Sequence, residues 1–271
     1  MTLNILYCGD ENISGGILLS VLSLLESTKE KLNIFILTAS IESRSPIGDE
    51  FENKLNVTLK KYNSQNFARV IDVTEMFADC KPVANLSTRF TPFCMLRLFA
   101  DEVKEIPDKI LYLDCDVLAR KDFKELYEIN VSEFEICGVP DRYGKYFFGH
   151  APFKHDYINS GVLLINMDLV RKNKTFKKCR ELCRTKKMFM PDQTVLNKLA
   201  EKKLIKNIFN EQGNPKEDTV FQHFTTRFIF FPFIKTQTVK PWDIEGVHEK
   251  LRLTDYDGLY DKFFKEKQNY E

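Results

Sequence analysis

Two aspartates one residue apart, Asp114 and Asp116, directly follow a short apolar run at residues 110–113. In an extended segment, side chains two residues apart point to the same side, so both carboxylates can reach one point. Like charges held that close raise each other's pKa unless a cation lies between them. Mg²⁺ and Mn²⁺ prefer oxygen ligands and keep open positions for substrate phosphates. The pair is therefore a candidate metal site; the alternative is that one aspartate caps the following turn and the other faces solvent.

The two aspartates are expected at the end of a strand. The sequence around them predicts alternating strands and helices. We predict strands at residues 4–7, 33–37, 58–60, 68–72, 110–113, 135–139 and 161–166, and helices at residues 14–25, 47–55, 92–103, 122–127, 175–185 and 192–201. Such alternation indicates an α/β fold with a mostly parallel sheet. Ligands of these sheets bind at the carboxyl ends of the strands, where the aspartate pair is expected.

Composition narrows the classes of partner. The chain has 271 residues, 43% of them hydrophobic, and its 40 basic and 39 acidic residues nearly cancel. That balance gives no indication of a nucleic-acid partner, which usually requires a strongly basic domain. Seven scattered cysteines without a CxxC pair favour a reduced, cytoplasmic protein. The first residues lack the features of a signal peptide, and the apolar run at residues 17–25 is about half the length that spans a bilayer.

Two enzyme classes place an Asp-x-Asp motif at the end of a strand. Phosphatases similar to haloacid dehalogenase use the first aspartate as nucleophile, but their motif normally closes the first strand of the core. Here predicted strands and helices precede Asp114, which favours a nucleotide-sugar transferase with an N-terminal nucleotide-binding half. A phosphatase with Asp114 as nucleophile stays the enzyme alternative. A non-catalytic module that binds a UDP-sugar or a glycan is the alternative without chemistry.

Six short motifs follow one another along the chain: YCGDENI at residues 7–13, MLRL at 95–98, LYLDCDVL at 111–118, INSGVLLINM at 158–167, PDQTVLN at 191–197 and KPW at 240–242. In this order they resemble glycosyltransferase family 8, the family of bacterial lipopolysaccharide galactosyl- and glucosyltransferases and of glycogenin. The resemblance covers about residues 3–245. It implies a GT-A nucleotide-diphospho-sugar transferase fold, with a mixed, mostly parallel sheet flanked by helices. We accordingly divide the chain into a catalytic domain at residues 1–245 and a C-terminal helical extension at residues 246–271.

The resemblance also implies a reaction and its partners. The enzyme would move glucose or galactose from UDP-glucose or UDP-galactose to a saccharide or glycolipid acceptor, with retention of the anomeric configuration. It would depend on Mn²⁺ or Mg²⁺ and act in the synthesis of lipopolysaccharide, capsule or another surface glycan. The basic segment at residues 175–187 suggests peripheral contact with the inner face of the membrane.

Site roles are carried over position by position from the family motifs. Asp10 would accept the N–H of uracil, and the residues expected to contact the rest of the nucleotide sugar are Cys8, Gly9, Asn12, Arg97, Asp114, Cys115, Asn159 and Lys240. The metal ligands would be Asp114, Asp116 and His223, and the side chain of Cys115 should point away from them into the core. The catalytic residues would be Gln193, Asp192 and Asp141. Because an amide is a poor nucleophile, we favour front-face displacement, in which Gln193 supports an oxocarbenium-like transition state.

One departure from the family pattern lies between His223 and Lys240. Relatives usually have a glycine three residues after the histidine and reach the KPW motif within a few residues, whereas this chain has Thr226 and then an aromatic and basic insertion. The insertion could be a lid over the donor, a wall of the acceptor site, a membrane-facing patch or a hairpin packed on the core. Its role stays open at this point, and the predicted contact of Lys240 with the diphosphate depends on it.

Overall fold

The computed structural model describes residues 1–86, 92–147, 156–229, 233, 235–268 and 270. The strands are β1 (Thr2–Cys8), β2 (Lys31–Thr38), β3 (Phe67–Asp72), β4 (Lys109–Leu113), β5 (Val117–Ala119), β6 (Ile136–Pro140), β7 (Ile158–Asn166), β8 (Lys202–Leu204), β9 (Phe221–His223), β10 (Arg227–Ile229) and β11 (Lys235–Gln237). The α-helices are α1 (Ser14–Ser27), α2 (Asp49–Tyr62), α3 (Thr74–Asp79), α4 (Lys124–Glu128), α5 (Gly144–Phe147), α6 (Met167–Asn173), α7 (Thr175–Thr185), α8 (Pro191–Leu199), α9 (Ile244–Glu249) and α10 (Asp257–Lys267). Segments of 3₁₀ helix lie at Glu11–Ile13, Pro92–Phe99 and Asn207–Phe209.

Seven strands of the described chain form one sheet in the order β3-β2-β1-β4-β7-β6-β8. β1 runs parallel to β2 and β4, β2 to β3, and β6 to β8, whereas β7 runs antiparallel to β4 and β6. The predicted mixed, mostly parallel sheet flanked by helices is therefore confirmed. Because β7 is reversed, its beginning lies at the edge where β1, β4 and β6 end.

Each face of the sheet has its own apolar core. On one face Leu111 and Leu113 of β4 pack with Leu22 of α1, and on the other Ile110 packs with Phe99 of the 3₁₀ helix. Burial on both faces explains why residues 110–113 are apolar without alternation. The hydrophobic effect of both layers thus holds the strand end that carries the aspartate pair.

The strand predicted at residues 58–60 is wrong, because these residues belong to α2. The buried residues of that helix are Leu55, Thr58 and Leu59, which have the i, i+3, i+4 spacing of a helical face. The β-branched Thr58 favours a strand locally. The helix forms because its buried face packs against β3, which outweighs that local preference. The helix predicted from Pro92 is present as a 3₁₀ helix that ends at Phe99.

The residues after 245 pack on the same core as the sheet. α9 begins at Ile244, and α10 lies against α1 with Tyr260 and Phe263 buried. Nζ of Lys61 on α2 is 2.7 Å from a carboxylate oxygen of Glu266. The division into two units at residue 246 stays a prediction.

The most apolar of the predicted helices is α1, which carries the run at residues 17–25. It has 14 residues, whereas about 20 are needed to cross the hydrocarbon core of a bilayer. In the part of the chain that the structure describes, no helix combines the length and the apolarity of a membrane span.

Candidate active site

Polar side chains from four neighbouring strands meet at one edge of the sheet. Asp10, Asp114 and Asp141 come directly or almost directly after β1, β4 and β6, and Asn159 lies at the beginning of the reversed β7. The backbone N–H of Asp114 donates to the carbonyl oxygen of Gly161 at 2.8 Å, so β4 and β7 stay in contact beyond their last ladder pair. The topology therefore brings together residues that are far apart in the sequence, at the edge where ligands of such sheets bind.

Asp114, Asp116 and His223 form a compact cluster at this edge. β5 follows the aspartates directly and pairs antiparallel with β9, which places Val117 opposite His223. One possible ligand atom from each of the three residues lies within 4.8 Å of the other two. Nε2 of His223 is 3.3 Å from Oδ1 of Asp116 and 3.8 Å from Oδ2 of Asp114. The three residues predicted as metal ligands are thus adjacent in space.

The imidazole of His223 and the carboxylate of Asp114 can lie this close to the backbone of β7 because residue 161 has no side chain. A Cβ atom at Gly161 would lie 2.1 Å from Cε1 of His223 and 2.9 Å from Oδ2 of Asp114. Two carboxylates and an imidazole nitrogen that face one point suit Mn²⁺ or Mg²⁺ better than a softer metal. The residues present therefore fit the divalent cation that the family resemblance implies.

Lys240 lies beside the cluster and balances part of its charge. Its Nζ forms a salt bridge with Oδ2 of Asp116. Burial alone would raise the pKa of Asp116, but the charge of Lys240, together with the hydrogen bonds that Asp116 accepts from Lys240 and His223, outweighs it and holds that pKa well below its usual range. Burial lowers the pKa of Lys240, yet Asp116 more than compensates and raises it above its usual value. Asp116 is therefore a carboxylate and Lys240 an ammonium group at neutral pH.

Arg97 is buried behind the cluster, with 1% of its side chain exposed. Its Nη2 is 2.9 Å from Oδ1 of Asp114 and 3.3 Å from Oδ2 of Asp192, and its guanidinium lies 3.8 Å from the ring centre of Tyr112. Burial opposes the charged form, but Tyr112 and the two aspartates hold the pKa of Arg97 well above its usual value. The hydroxyl of Tyr112 also donates to Oδ1 of Asp114 at 2.6 Å. Arg97 and Tyr112 together fix the orientation of Asp114.

The three residues predicted as catalytic share one hydrogen-bond network. Oδ2 of Asp141 accepts from Nδ2 of Asn159 at 3.0 Å and from Nε2 of Gln193 at 3.2 Å. Oε1 of Gln193 accepts from the backbone N–H of Ser160 at 3.0 Å. Oδ2 of Asp192 accepts from the hydroxyl of Ser160 at 3.3 Å. Asp141, Asp192 and Gln193 are all buried, so these bonds hold them in fixed positions, and Arg97 links Asp192 to Asp114.

The predicted nucleobase end of the site lies after β1. Oδ2 of Asp10, which is buried, accepts from Nη1 of Arg44 at 2.9 Å and from Nδ2 of Asn12 at 3.2 Å. A Cβ atom at Gly9 would lie 2.2 Å from Cγ2 of Ile13, so only glycine permits this close approach of side chain and backbone. Gly9, Asp10 and Asn12 are thus gathered at one strand end, as expected, and Arg44 joins them from the loop after β2.

Cys115 points away from the metal cluster, as strand alternation predicted. Its thiol donates to the carbonyl oxygen of Cys8 at 3.4 Å, and both cysteines are buried. Burial raises the pKa of the Cys115 thiol well above its usual value, so the group is neutral. Contacts of Cys8 and Cys115 with a nucleotide sugar stay a prediction.

The sequence profile described as glycosyl transferase family 8 matches residues 4–245. The chain belongs to this family. The resemblance drawn from the six motifs is therefore confirmed over the span in which they occur.

Relatives and solved structures agree with the family 8 membership. The probable glycosyl transferase Gly of Streptococcus gordonii is 28% identical over 162 residues, which are 59% of this chain but only 22% of that protein. The lipopolysaccharide 1,3-galactosyltransferase of Salmonella typhimurium is 26% identical over 255 residues, covering 90% of this chain and 69% of its own. A crystal structure of the galactosyltransferase LgtC with donor and acceptor sugar analogs superposes with a TM-score of 0.68 at 18% identity, covering 97% of this chain and 96% of its own. The structural similarity to LgtC shows that this chain has the GT-A fold.

Sequence reasoning missed several polar groups of the candidate site, namely Arg44, Tyr112, Ser160 and Asn210. Tyr112 could have been found, because it lies two residues before Asp114 and therefore on the same side of the strand. Ser160 lies inside the INSG motif, between Asn159 and the glycine. Arg44 and Asn210 lie in loops and have no local signal, since only the tertiary fold brings them to the site.

The insertion between His223 and Lys240 forms, in its described part, the antiparallel pair β10–β11. Residues 230–232 and 234 lie outside the described residues. The ring of Phe228 meets the ring of Tyr143 edge-on at 4.9 Å, and the backbone N–H of Phe228 donates to the hydroxyl of Tyr143 at 3.2 Å. The insertion is thus attached to the segment that follows Asp141, on the side of the predicted catalytic residues.

Proposed function

We propose that this family 8 protein is a retaining, metal-dependent hexosyltransferase that moves glucose or galactose from a UDP-sugar to a saccharide or glycolipid acceptor. The observation that carries the proposal is the convergence of Asp114, Asp116 and His223 on one point. The name of the Salmonella relative and the LgtC complex with donor and acceptor analogs support this substrate class. The product would be part of lipopolysaccharide, capsule or another surface glycan.

Charges at the site suit a departing nucleoside diphosphate. Asp114, Asp116 and His223 would hold Mn²⁺ or Mg²⁺, which supplies a Lewis acid that neutralises charge developing on the diphosphate. Lys240 places a further positive charge next to Asp116 and would contact the diphosphate. At the nucleobase end of the site, the Asp10 carboxylate would accept the N–H of uracil and so fix the position of the base.

At the anomeric carbon, Gln193 would support the transition state rather than attack. Its amide oxygen accepts from Ser160 and its amide nitrogen donates to Asp141, so both ends of the group are already held. In the proposed front-face reaction, the bond from the anomeric carbon to the UDP oxygen breaks as the bond to the acceptor oxygen forms on the same face. The proton of the acceptor hydroxyl passes to the departing UDP oxygen. Asp141 and Asp192 would accept hydrogen bonds from the sugar hydroxyls.

A screen of UDP-sugars for slow hydrolysis without acceptor tests this function. We expect UDP-glucose or UDP-galactose to be cleaved in the presence of Mn²⁺ and to be left intact in the presence of EDTA. UDP binding without any turnover would instead indicate a binding module. If UDP-sugar and Mn²⁺ gave no protection against melting, while trapping of an aspartyl phosphate labelled Asp114, the phosphatase alternative would replace the transferase.

We also propose that the protein acts in the cytoplasm, in peripheral contact with the inner face of the membrane. On α7, Lys177, Lys178 and Arg184 are exposed, whereas Arg180 is buried and paired with Asp101. The exposed basic face would attract anionic lipid, and this attraction should weaken as salt screens it. Co-sedimentation with vesicles that contain phosphatidylserine is expected at low salt, with neutral vesicles as the control. Absence of binding to the anionic vesicles at low salt would contradict the proposal.

A further inference from the structure

The two ring nitrogens of His223 face different groups. Nε2 faces Asp116 and Asp114 at 3.3 Å and 3.8 Å, and Nδ1 lies 3.1 Å from Oδ1 of Asn210. A neutral imidazole binds a metal through the nitrogen that lacks a proton, and the partner of the other nitrogen decides which one that is. The partners of Asn210 therefore bear directly on the metal-binding capacity of His223.

The amide of Asn159 is oriented by two groups that cannot reverse their roles. Its Oδ1 accepts from the backbone N–H of Gly161 at 2.9 Å, and a backbone N–H can only donate. Its Nδ2 donates to Oδ2 of Asp141 at 3.0 Å. Oδ1 of the same carboxylate accepts from the backbone N–H of Gly144 at 2.6 Å, so Asp141 is an acceptor on both sides. Both contacts give the same orientation of the Asn159 amide.

That orientation passes to Asn210 and then to His223. Because Oδ1 of Asn159 is an acceptor, the group that meets it at 2.9 Å must be the amide nitrogen of Asn210. Oδ1 of Asn210 is then left to face Nδ1 of His223, which must carry a proton in order to donate. In the neutral imidazole the lone pair of Nε2 then points toward the two aspartates. Asn159, Asn210 and His223 are all buried, so water does not compete for these bonds.

We propose that Asn210 is a positioning residue that holds His223 in the Nδ1–H tautomer and presents Nε2 as a metal ligand. The inference rests on the proposed function in that it assumes a metal at Asp114, Asp116 and His223. It extends that function, because Asp141 and Asn159 on the sugar side and His223 on the metal side belong to one directed chain of hydrogen bonds. The metal site is therefore set up by the same residues that are expected to contact the donor sugar.

The test compares Mn²⁺ binding by the wild-type protein and by Asn210→Leu and Asn210→Asp, measured by calorimetry without nucleotide. Loss of a group that orients a metal-binding histidine typically weakens metal affinity by about 10–100-fold, and we expect this for Asn210→Leu. Asn210→Asp keeps an acceptor for Nδ1–H but loses the donor to Asn159, so a smaller loss is expected. Asn66→Leu is the matched control, because Asn66 is also buried and bonded to backbone groups of Leu32 and Leu59, away from the site.

A second measurement needs no variant and reads the tautomer directly. In the ¹⁵N-labelled wild-type protein loaded with Mg²⁺, the side-chain spectrum of His223 should show a protonated Nδ1 and an unprotonated Nε2. Wild-type Mn²⁺ affinity in Asn210→Leu would overturn this inference and leave the metal site intact. A proton on Nε2 in the loaded protein would overturn the inference together with the assignment of Nε2 of His223 as a metal ligand. A wild-type protein that binds no Mn²⁺ would overturn the inference together with the proposed metal site.

Discussion

The Asp114→Asn and Asp116→Asn variants are each expected to lose Mn²⁺-dependent hydrolysis of the UDP-sugar by a factor on the order of 10³ or more, which corresponds to several kcal/mol of transition-state stabilisation. An amide is a weaker and uncharged ligand, so it would hold the cation poorly. Asp116→Asn would also leave the half-buried ammonium group of Lys240 without its carboxylate. The rate of UDP release and the Mn²⁺ dissociation constant are the quantities to measure.

Asp261→Asn is the matched control for the two aspartate variants. Asp261 is exposed on α10, so the same chemical change occurs there away from the site. We expect the wild-type rate and the wild-type metal affinity for this variant. Melting temperatures of the three variants would show whether any loss of activity comes from unfolding. Activity retained in both Asp114→Asn and Asp116→Asn would refute the assignment of the metal site.

Gly161→Ala should disable the metal cluster without removing any ligand. The added methyl group would lie 2.1 Å from Cε1 of His223 and 2.9 Å from Oδ2 of Asp114, so both ligands must move. Overpacking of this kind costs about 1–3 kcal/mol of unfolding free energy. We expect Mn²⁺ affinity to fall at least about tenfold, since loss of an orienting contact alone has an effect of that size. Calorimetric titration with Mn²⁺ and denaturant unfolding measure the two effects separately.

Gly258→Ala serves as the control for this substitution. Gly258 lies in α10, and no atom lies within 4 Å of the position that its Cβ would take. Alanine is favoured over glycine in a helix, so stability should stay the same or rise by up to about 1 kcal/mol. Its metal affinity should equal that of the wild type. Unchanged Mn²⁺ binding in Gly161→Ala would show that the positions of His223 and Asp114 against Gly161 do not matter for metal binding.

Much of the fold and the metal cluster was predictable because it depends on local patterns. The apolar run at residues 110–113 fixed a buried strand, and the polar pair after it had to lie at the edge of the sheet. The family resemblance then supplied His223, because the third metal ligand of the family is a histidine followed by an aromatic residue shortly before the KPW motif. In contrast, residues 58–60 are predicted as a strand but belong to a helix. The secondary structure of such a short segment depends on which of its side chains the tertiary fold buries.

The remaining parts of the site depend on contacts between distant segments. The sequence around Arg97 reads as a surface helix, yet Arg97 is buried because Asp114, Asp192 and Tyr112 compensate its charge. Asn210 is one of many loop asparagines until β9 and β7 place it between His223 and Asn159. Burial and hydrogen-bond direction decide such roles, and neither can be read from residue spacing.

The pairing of β5 with β9 determines when the metal cluster can form during synthesis of the protein. Asp114 and Asp116 leave the ribosome long before His223 and Lys240, and domains generally fold from the N-terminal end during synthesis. The growing chain therefore contains the two carboxylates before the His223 imidazole and the Lys240 ammonium group that lie beside them. An incomplete product that ends before residue 223 has strands β1 to β8 but lacks the complete cluster. The candidate metal cluster is thus complete only when the last part of the family 8 region has been translated and has folded back.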